Sequence, residues 1–433
     1  MYKYKVEGGH PLKGSVRIQG NKNAALPCLA ATLLSDEPIV LENLPALRDV
    51  EVMLGILEKM GSVVERLSPN SYRIQTTDIR PEMLQESDSG KVRASVLFVG
   101  PLLARLGSVK LPLPGGDVIG KRRLDTHFLA MKALGASGSV NGFLHFQANK
   151  LVGSNIFLDE ASVTATENAI MAAALAEGET VIENAASEPH VQDLCLMINA
   201  MGGEITGIGS NILRIRGKKS LHGAEFKISP DFMEISSFIG LAAVTQSELE
   251  LIGVQHSHLR MVAMAFRKMG IHWTGGGEGP NGDRLIVPAQ QAMKVYYDVD
   301  GSIPKIDDSP WPGFPADLTS IMTVVATQVE GTILIHEKMF ESRLFFVDKL
   351  INMGARIILC DPHRAVVTGA TRLSGQKLLS PDVRAGMAML IAALCARGTS
   401  VIHNIYQIER GYEDIAQRLC AIGAKIERLP EYS

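Results

Sequence analysis

Apolar positions along the chain fall into one pattern six times over. A helix-like segment closes on an apolar residue and a glycine, and a β-rich run follows: LEKMGSVVE, MKALGASGSV, INAMGGEIT, FRKMGIHWT, LINMGARII and LCAIGAKIE. The glycines are Gly61, Gly135, Gly202, Gly270, Gly354 and Gly423, roughly 70 residues apart. Each stands where a helix needs a residue of left-handed conformation just past its end. The alternating valine, isoleucine and threonine beyond them predict strands. Upstream lies a second recurring block, an Ala/Leu-rich helix, a turn and a short β-rich run. Its copies are LLSDEPIVLENL, LARLGSVKLPLP, LAEGETVIENA, TQSELELIGV, TQVEGTILIHEK and LCARGTSVIHNI. One unit therefore reads strand–helix–strand–helix–strand–strand. Six such units exceed a single core, so the pattern predicts two domains of three units, each a closed α/β domain of pseudo-threefold form.

Two stretches interrupt the pattern. GGGEGPNGD, residues 275–283, divides a WT…RLIV pair and predicts a hairpin loop. Lacking a strand before it and a helix after it, it is not a nucleotide-binding fingerprint. LPLPGGDVIGKRRLD, residues 111–125, is too rich in proline and glycine for a regular helix or a strand interior. Gly115 and Gly116 leave room for a ligand to approach the backbone. Lys121, Arg122 and Arg123 supply cations, Asp117 an acid and Asp125 a hydrogen-bond acceptor. These are the parts of a lid over a phosphorylated substrate, although the same composition serves a surface connector. The terminal RLPEYS reads as a plain tail.

Composition narrows the function classes. The 433 residues are 46% hydrophobic, 21% charged and 5% aromatic, the balance of an aliphatic-rich globular chain. A net charge of −3 offers no basic footprint for nucleic acid. Five scattered cysteines (Cys28, Cys195, Cys360, Cys395 and Cys420) contain no C-x-x-C pair, so neither a disulfide framework nor a zinc site is expected. MYKYKVEGGHPLKG has no apolar signal region, and the apolar runs fall short of the ~20 residues of a membrane span. A reducing cytoplasm is the expected compartment, with no membrane partner.

Against this background some polar residues sit at unit junctions, directly before helices. Lys22 and Asn23 precede the apolar segment 24–34, and Arg93 begins the segment leading to Leu106. Asp317, Arg343, Asp382, Arg384 and Arg410 occupy comparable places later in the chain. Free N–H groups at a helix start favour anions, whereas any one of these side chains alone is equally a surface ion-pair partner. Together Lys22, Arg93, Arg122, Arg343, Arg384 and Arg410 would suit a small substrate carrying both phosphate and carboxylate. Asp117 and Asp317 would then be the proton donor and acceptor.

GNKNAALP, RAS…GPLLARLG, LPGG…IG…R…LD-H, FPAD, the closing D-R and RGYE, taken together, resemble the enolpyruvyl transferases nearly end to end. The resemblance implies two inside-out α/β barrel domains of three repeats each. It places residues 22–230 in the first domain, with the loop 111–125, and residues 1–21 with 231–433 in the second, the active site lying in the cleft between them. It implies transfer of the enolpyruvyl group of phosphoenolpyruvate to the 3′-hydroxyl of UDP-N-acetylglucosamine, the first committed step of peptidoglycan precursor synthesis, with no cofactor and no metal.

Carried over by position, Lys22, Arg122 and Arg410 match phosphate contacts, and Arg343 and Arg384 match arginines at the carboxylate end. Arg93 and Asp382 match further active-site positions, and Met339 a substrate-binding one. Asn23 and Asp317 match residues at the sugar hydroxyl, Asp317 as general base. Asp125, Ser162 and Val163 match positions that hold the uridine diphosphate part. Asp117 stands where the family usually has the cysteine that fosfomycin-type epoxides alkylate, which implies resistance to such inhibitors. Arg123 replaces a usual proline, Glu160 an often basic residue and Thr164 a frequent glycine. A paralogue with another acceptor, such as shikimate 3-phosphate, and a non-catalytic sugar-nucleotide binder are the alternatives.

Overall fold

A computed structural model describes the chain except for residues 1, 87, 116–122, 278–281, 432 and 433. The described residues form two compact units. One gathers the residues up to Gln19 with those from Pro230 onward; the other runs between Gly20 and Ser229. Each carries three small sheets.

The repeat is plainest in the sheet of Asn155–Phe157, Glu179–Glu183, Glu204–Thr206 and Ile212–Arg216, whose helices are Val163–Ala174 and Pro189–Ala200. Its first two strands are parallel, because a helix carries the chain back between them. The fourth strand pairs antiparallel with the second and the third lies outside it. The same order recurs around Gly331–His336, Glu248–Ile252, Gly398–His403 and Ile39–Glu42. The sixth sheet has three described strands, Ser108–Pro112, Ser137–Val140 and Phe143–Gln147. Here the expected first strand is replaced by short helical turns at Met83–Glu86 and Asp88–Lys91, a polar stretch of low β propensity.

Three sheets borrow a strand from far along the chain. Tyr2–Gly8 lies between Gly398–His403 and Lys425–Pro430, while Lys13–Arg17 is the parallel neighbour of Glu248–Ile252. In the other unit Glu225–Lys227 pairs parallel with Ile39–Glu42. The end of the chain is therefore not the expected tail. Arg428, Leu429 and Pro430 register with Tyr4, Lys3 and Tyr2, and the Arg428 guanidinium stacks 3.7 Å from the Tyr2 ring. The sheet's exposed edge and this cation–π contact organise residues whose own sequence signals no strand.

Sheets lie outside and helices inside. Every residue of Phe232–Val244 and of Thr319–Thr327 is buried, and so are twelve of the thirteen in Val383–Cys395. A helix apolar all round is what a central position requires. In the other unit Lys22–Ala31, Val99–Leu106 and Val163–Ala174 play the same part. Gly100 lets two of these backbones meet, since a Cβ there would stand 2.6 Å from the Asn168 carbonyl oxygen.

The six repeat glycines behave as the pattern predicts. All have positive φ, from 68° at Gly270 to 105° at Gly354. After each, the next N–H reaches the carbonyl five residues back: Ser62 to Leu57, Ala136 to Met131, Gly203 to Ile198, Ile271 to Phe266, Ala355 to Leu350 and Ala424 to Leu419. This is the Schellman arrangement. Each accepting residue is a buried hydrophobe, so one motif ends the helix and anchors it. No helix among the described residues is long and apolar enough to cross a membrane.

Candidate active site

In the unit between Gly20 and Ser229, Asn21 caps the helix Lys22–Ala31. Its side chain accepts the N–H groups of Asn23 at 2.8 Å and Ala24 at 3.3 Å. Capping thus falls to Asn21, which leaves the Asn23 amide for other partners. Lys22 is held in advance, its Nζ donating to Asp49 Oδ2 at 3.2 Å with both side chains largely buried. Asp49 had no signal of its own in the sequence, although its place in the first turn of Arg48–Lys59 suits an acid.

Three further helix starts carry expected site residues, Arg93 at one and, at the other two, those expected at the uridine diphosphate part. Arg93 heads the 3₁₀ turn Arg93–Phe98 that runs into Val99–Leu106, Asp125 opens Asp125–Ala133, and Ser162 and Val163 open Val163–Ala174. A buried polar network locks the three together. His127 Nε2 lies 3.1 Å from Thr164 Oγ1, and Asn168 Nδ2 donates to Val96 O at 2.9 Å and to His127 Nδ1 at 3.2 Å. Gly100 N–H donates to Asn168 Oδ1 at 2.6 Å.

Because Nδ1 accepts, His127 carries its proton on Nε2. Burial, and then nearby Arg93, push its pKa down to about 3, so it is neutral. Thr164, where glycine is frequent, is thereby tied into the scaffold. At the surface Arg123 spans Asp125 and Asp159, both at 3.3 Å, and Thr126 Oγ1 donates to Asp159 at 2.8 Å. Glu160 is exposed beside them. Ser162 makes no side-chain cap bond. Asp117 and Arg122 lie outside the described residues.

In the other unit three junctions meet on one carboxylate. Asp317 lies in the turn Ala316–Leu318 ahead of Thr319–Thr327. Arg384, in the first turn of Val383–Cys395, donates from Nε to Asp317 Oδ2 at 2.9 Å, and Arg343 Nη2 donates to the other oxygen. Both arginines are 5% exposed. Burial alone would raise the Asp317 pKa, but the two guanidinium groups outweigh it and hold this carboxyl well below the usual range.

Arg384 also donates to the Tyr412 hydroxyl at 3.2 Å, and that oxygen lies 3.0 Å from Ser237 Oγ. Tyr412 belongs to the RGYE stretch, where the arginine had drawn attention and the tyrosine had not. Asp382 acts as a helix cap, accepting the N–H groups of Arg384 at 2.8 Å and Ala385 at 3.0 Å. It orients Arg384 through the backbone. Met339 is exposed, with its N–H on Asp308 Oδ2 at 3.2 Å. Arg410 follows the short helix Tyr406–Glu409 and is half-buried. The structure therefore joins Asp317, Arg343, Arg384 and Asp382 in one unit, and Arg93, Asp125, Ser162 and Val163 in the other. No group of histidine, cysteine and acidic side chains suited to a metal occurs among the described residues.

Known proteins give this geometry its context. The sequence profile of EPSP synthase (3-phosphoshikimate 1-carboxyvinyltransferase) matches residues 6–419. The UDP-N-acetylglucosamine 1-carboxyvinyltransferase of Treponema denticola is 60% identical over 427 residues, covering 99% of both chains. That of Bradyrhizobium diazoefficiens is 54% identical over 99% of this chain and 98% of its own. Among solved structures, the enolpyruvyl transferase NikO from Streptomyces tendae superposes with a TM-score of 0.85 at 21% identity, over 99% of each chain. EPSP synthase from Acinetobacter baumannii superposes with a TM-score of 0.76 at 17% identity, over 99% of this chain and 100% of its own. At those identities the structural likeness speaks for the fold alone, and the fold is the mixed α/β one that the repeats imply. Matched by the profile over nearly its whole length and by relatives from end to end, the chain belongs to the enolpyruvyl transferase family typified by EPSP synthase.

Proposed function

We propose that this chain is a UDP-N-acetylglucosamine 1-carboxyvinyltransferase. It transfers the enolpyruvyl group of phosphoenolpyruvate to the 3′-hydroxyl of UDP-N-acetylglucosamine and releases phosphate, at the entry to peptidoglycan precursor synthesis. The observation that carries this reading is 60% identity to a relative of that name over 99% of both chains. Its reactants and products are small and water-soluble, which fits work in the cytoplasm.

Lys22, Arg122 and Arg410 take the phosphate, and Arg343 and Arg384 the carboxylate of phosphoenolpyruvate. Arg93, Asp125, Ser162, Val163 and Met339 receive the sugar nucleotide, with Asn23 and Asp317 at its 3′-hydroxyl. Protonation of the enol methylene, with Asp117 as donor, makes the neighbouring carbon electrophilic. The hydroxyl adds there and gives its proton to Asp317. Loss of phosphate and of a methyl proton then restores the double bond.

The Asp317 geometry adds a condition to this scheme. Clamped by two arginines, its carboxylate is a weak base. A substrate carboxylate that draws Arg343 and Arg384 to itself leaves Asp317 more basic when the hydroxyl arrives. Phosphoenolpyruvate thereby arms its own base.

Phosphate release measured with UDP-N-acetylglucosamine and, separately, with shikimate 3-phosphate tests the acceptor. Turnover is expected with the first alone; turnover with the second, or binding without turnover, overturns the reading. Asp317→Asn should bind both substrates and lose about 10²–10⁴-fold in kcat. Near-normal turnover of that variant would move the base elsewhere.

A further inference from the structure

In three of the six repeats the residue after the second strand is an asparagine of left-handed conformation: Asn43, Asn184 and Asn404, with φ of 58°, 57° and 56°. Each sends its amide to the carbonyl of the residue that follows the first strand. Asn43 reaches Ile228 and Asn184 reaches Leu158, both at 2.9 Å, and Asn404 reaches Ser380 at 2.8 Å. A neutral latch thus closes two parallel strands where the helices depart.

The repeat around Gly331–His336 departs from this rule. Glu337 stands in the asparagine's place, and the residue after the first strand, Lys305–Asp307, is another acid, Asp308. Pairing of Asp307 with His336 sets the two acids side by side, and Asp308 N–H donates to His336 O at 3.3 Å. Their exposures are 1% for Asp308 and 0% for Glu337.

Hydrogen bonding places one proton between them. Asp308 accepts the N–H of Lys338 on Oδ1 and that of Met339 on Oδ2, an arrangement that favours its charged form. Neither carboxyl oxygen of Glu337 receives a hydrogen bond of ordinary geometry. A second carboxylate beside a first in a dry site stays protonated. Burial, and then Asp308, push the Glu337 carboxyl up to about 9.

The other groups facing the pair are few. Thr319, whose hydroxyl is also unpartnered, faces Glu337 from the helix start, and Arg343 lies nearby. His363 Nδ1 touches the Glu337 carbonyl at 2.7 Å, and Lys338 Nζ turns away to Asp307 at 2.8 Å. Arg343 holds Asp317 with Nη2 while its buried Nε has no partner.

We propose that Glu337 and Asp308 form a one-proton carboxyl pair that positions residues 338–343, and with them Met339 and Arg343, for the transfer reaction. With the proton in place, Asp308 pins the start of the turn and Arg343 is free to serve Asp317 and then the substrate carboxylate. Loss of the proton creates a second negative charge within electrostatic reach of Arg343, whose buried Nε has no partner. That charge draws the guanidinium back and splays the turn. Glu337 and Asp308 are positioning residues; neither needs to touch substrate. The idea rests on the transferase reading for its link to catalysis, but not for the pair itself.

The test has two arms, on wild type, Glu337→Gln and Glu337→Leu. Melting temperature followed from pH 6 to pH 10 reads the pair without any substrate. Wild type should lose stability progressively from pH 6 to about 9 and level off above it, because the unfolded glutamate is already ionised over that range. Glu337→Gln, which keeps an N–H for Asp308 but cannot ionise, should lack that fall. Phosphate release over the same range reads the link to the site. The wild-type KM for phosphoenolpyruvate should climb on the alkaline side, and Glu337→Gln should flatten the climb while keeping kcat within about 3-fold at pH 7. Glu337→Leu, with no donor, should raise KM about 10-fold at pH 7. A fall that persists unchanged in the Gln variant overturns the pair. A Gln variant as impaired at pH 7 as the Leu variant does so too. A flattened melting profile with an unmoved KM profile retains the pair and overturns its role in catalysis. Absence of any phosphate release from wild type would defeat the transferase reading and leave the melting arm intact.

Discussion

Lys22 and Asp317 share a feature: each charged group is already matched by a protein partner. Asp49 neutralises Lys22, and the guanidinium groups of Arg343 and Arg384 neutralise Asp317. Buried charges left alone would cost several kcal/mol, so these pairings let the charged groups stay buried. The Asp317 pKa is depressed, so its ion pairs contribute stability above the ordinary carboxylate range and lose it as pH falls through the lowered value. Asp117 lies outside the described residues, and its chemistry follows from its type. A carboxylate is a poor nucleophile toward an epoxide where a thiolate is a strong one. Wild type should therefore turn over in the presence of fosfomycin, and Asp117→Cys should gain time-dependent inactivation with one inhibitor mass added. Alkylation of wild type at a comparable rate would refute this. At this scale the sequence showed the cations and acids singly. It did not show that Arg343 and Arg384 close on one carboxylate, because their positions are joined only by three separate junctions. Nor did it show His127, which looks like any core histidine until three helices surround it.

At the scale of the element, the helix ends were the most legible part of the chain. A glycine after an apolar residue, six times over, encodes both the stop and the hydrophobic anchor, and its geometry is local. Gly423 isolates the conformational part: φ is 102° and a Cβ there would meet nothing within 4 Å. Gly423→Ala should cost about 1 kcal/mol of unfolding free energy through backbone strain alone. A denaturant titration that finds no loss would show that the backbone relaxes at that point. The latch after the second strand was half legible. LEN, IEN and IHN stood in one column with IHE, yet only the strand register explains why an acid there meets another acid. The terminal strand was not legible at all. Its pairing partner lies at the opposite end of the sequence, and no local period reports such a contact.

The described residues form two units of three sheets each, and among them the chain changes unit at Gln19–Gly20 and again at Ser229–Pro230. Both changes fall between the first strand of a repeat and the helix that would follow it. Repeat counting foretold six units and their grouping in threes. It did not foretell that Lys13–Arg17 and Glu225–Lys227 each complete a sheet opened elsewhere, since a strand carries no mark of its sheet. The strand Tyr2–Gly8 pairs on both edges. Removing residues 2–8 should therefore strip two rows of hydrogen bonds from one sheet and unfold the unit containing Asp317. The other unit should keep its protection in hydrogen exchange; equal loss in both would mean that they fold cooperatively.

The two strands borrowed from the N-terminal stretch have a consequence for synthesis on the ribosome. The strands Tyr2–Gly8 and Lys13–Arg17 emerge well before their partners at Gly398–His403, Lys425–Pro430 and Glu248–Ile252. The described residues between Gly20 and Ser229 belong to the other unit, which can fold while translation continues. For all that time two β-prone segments wait with open edges, the state most exposed to wrong pairing. Lys3, Lys5, Glu7, Lys13 and Arg17 are spaced along them, and charges on waiting strands oppose such pairing. The nascent chain thus carries its own guards until those partner strands arrive.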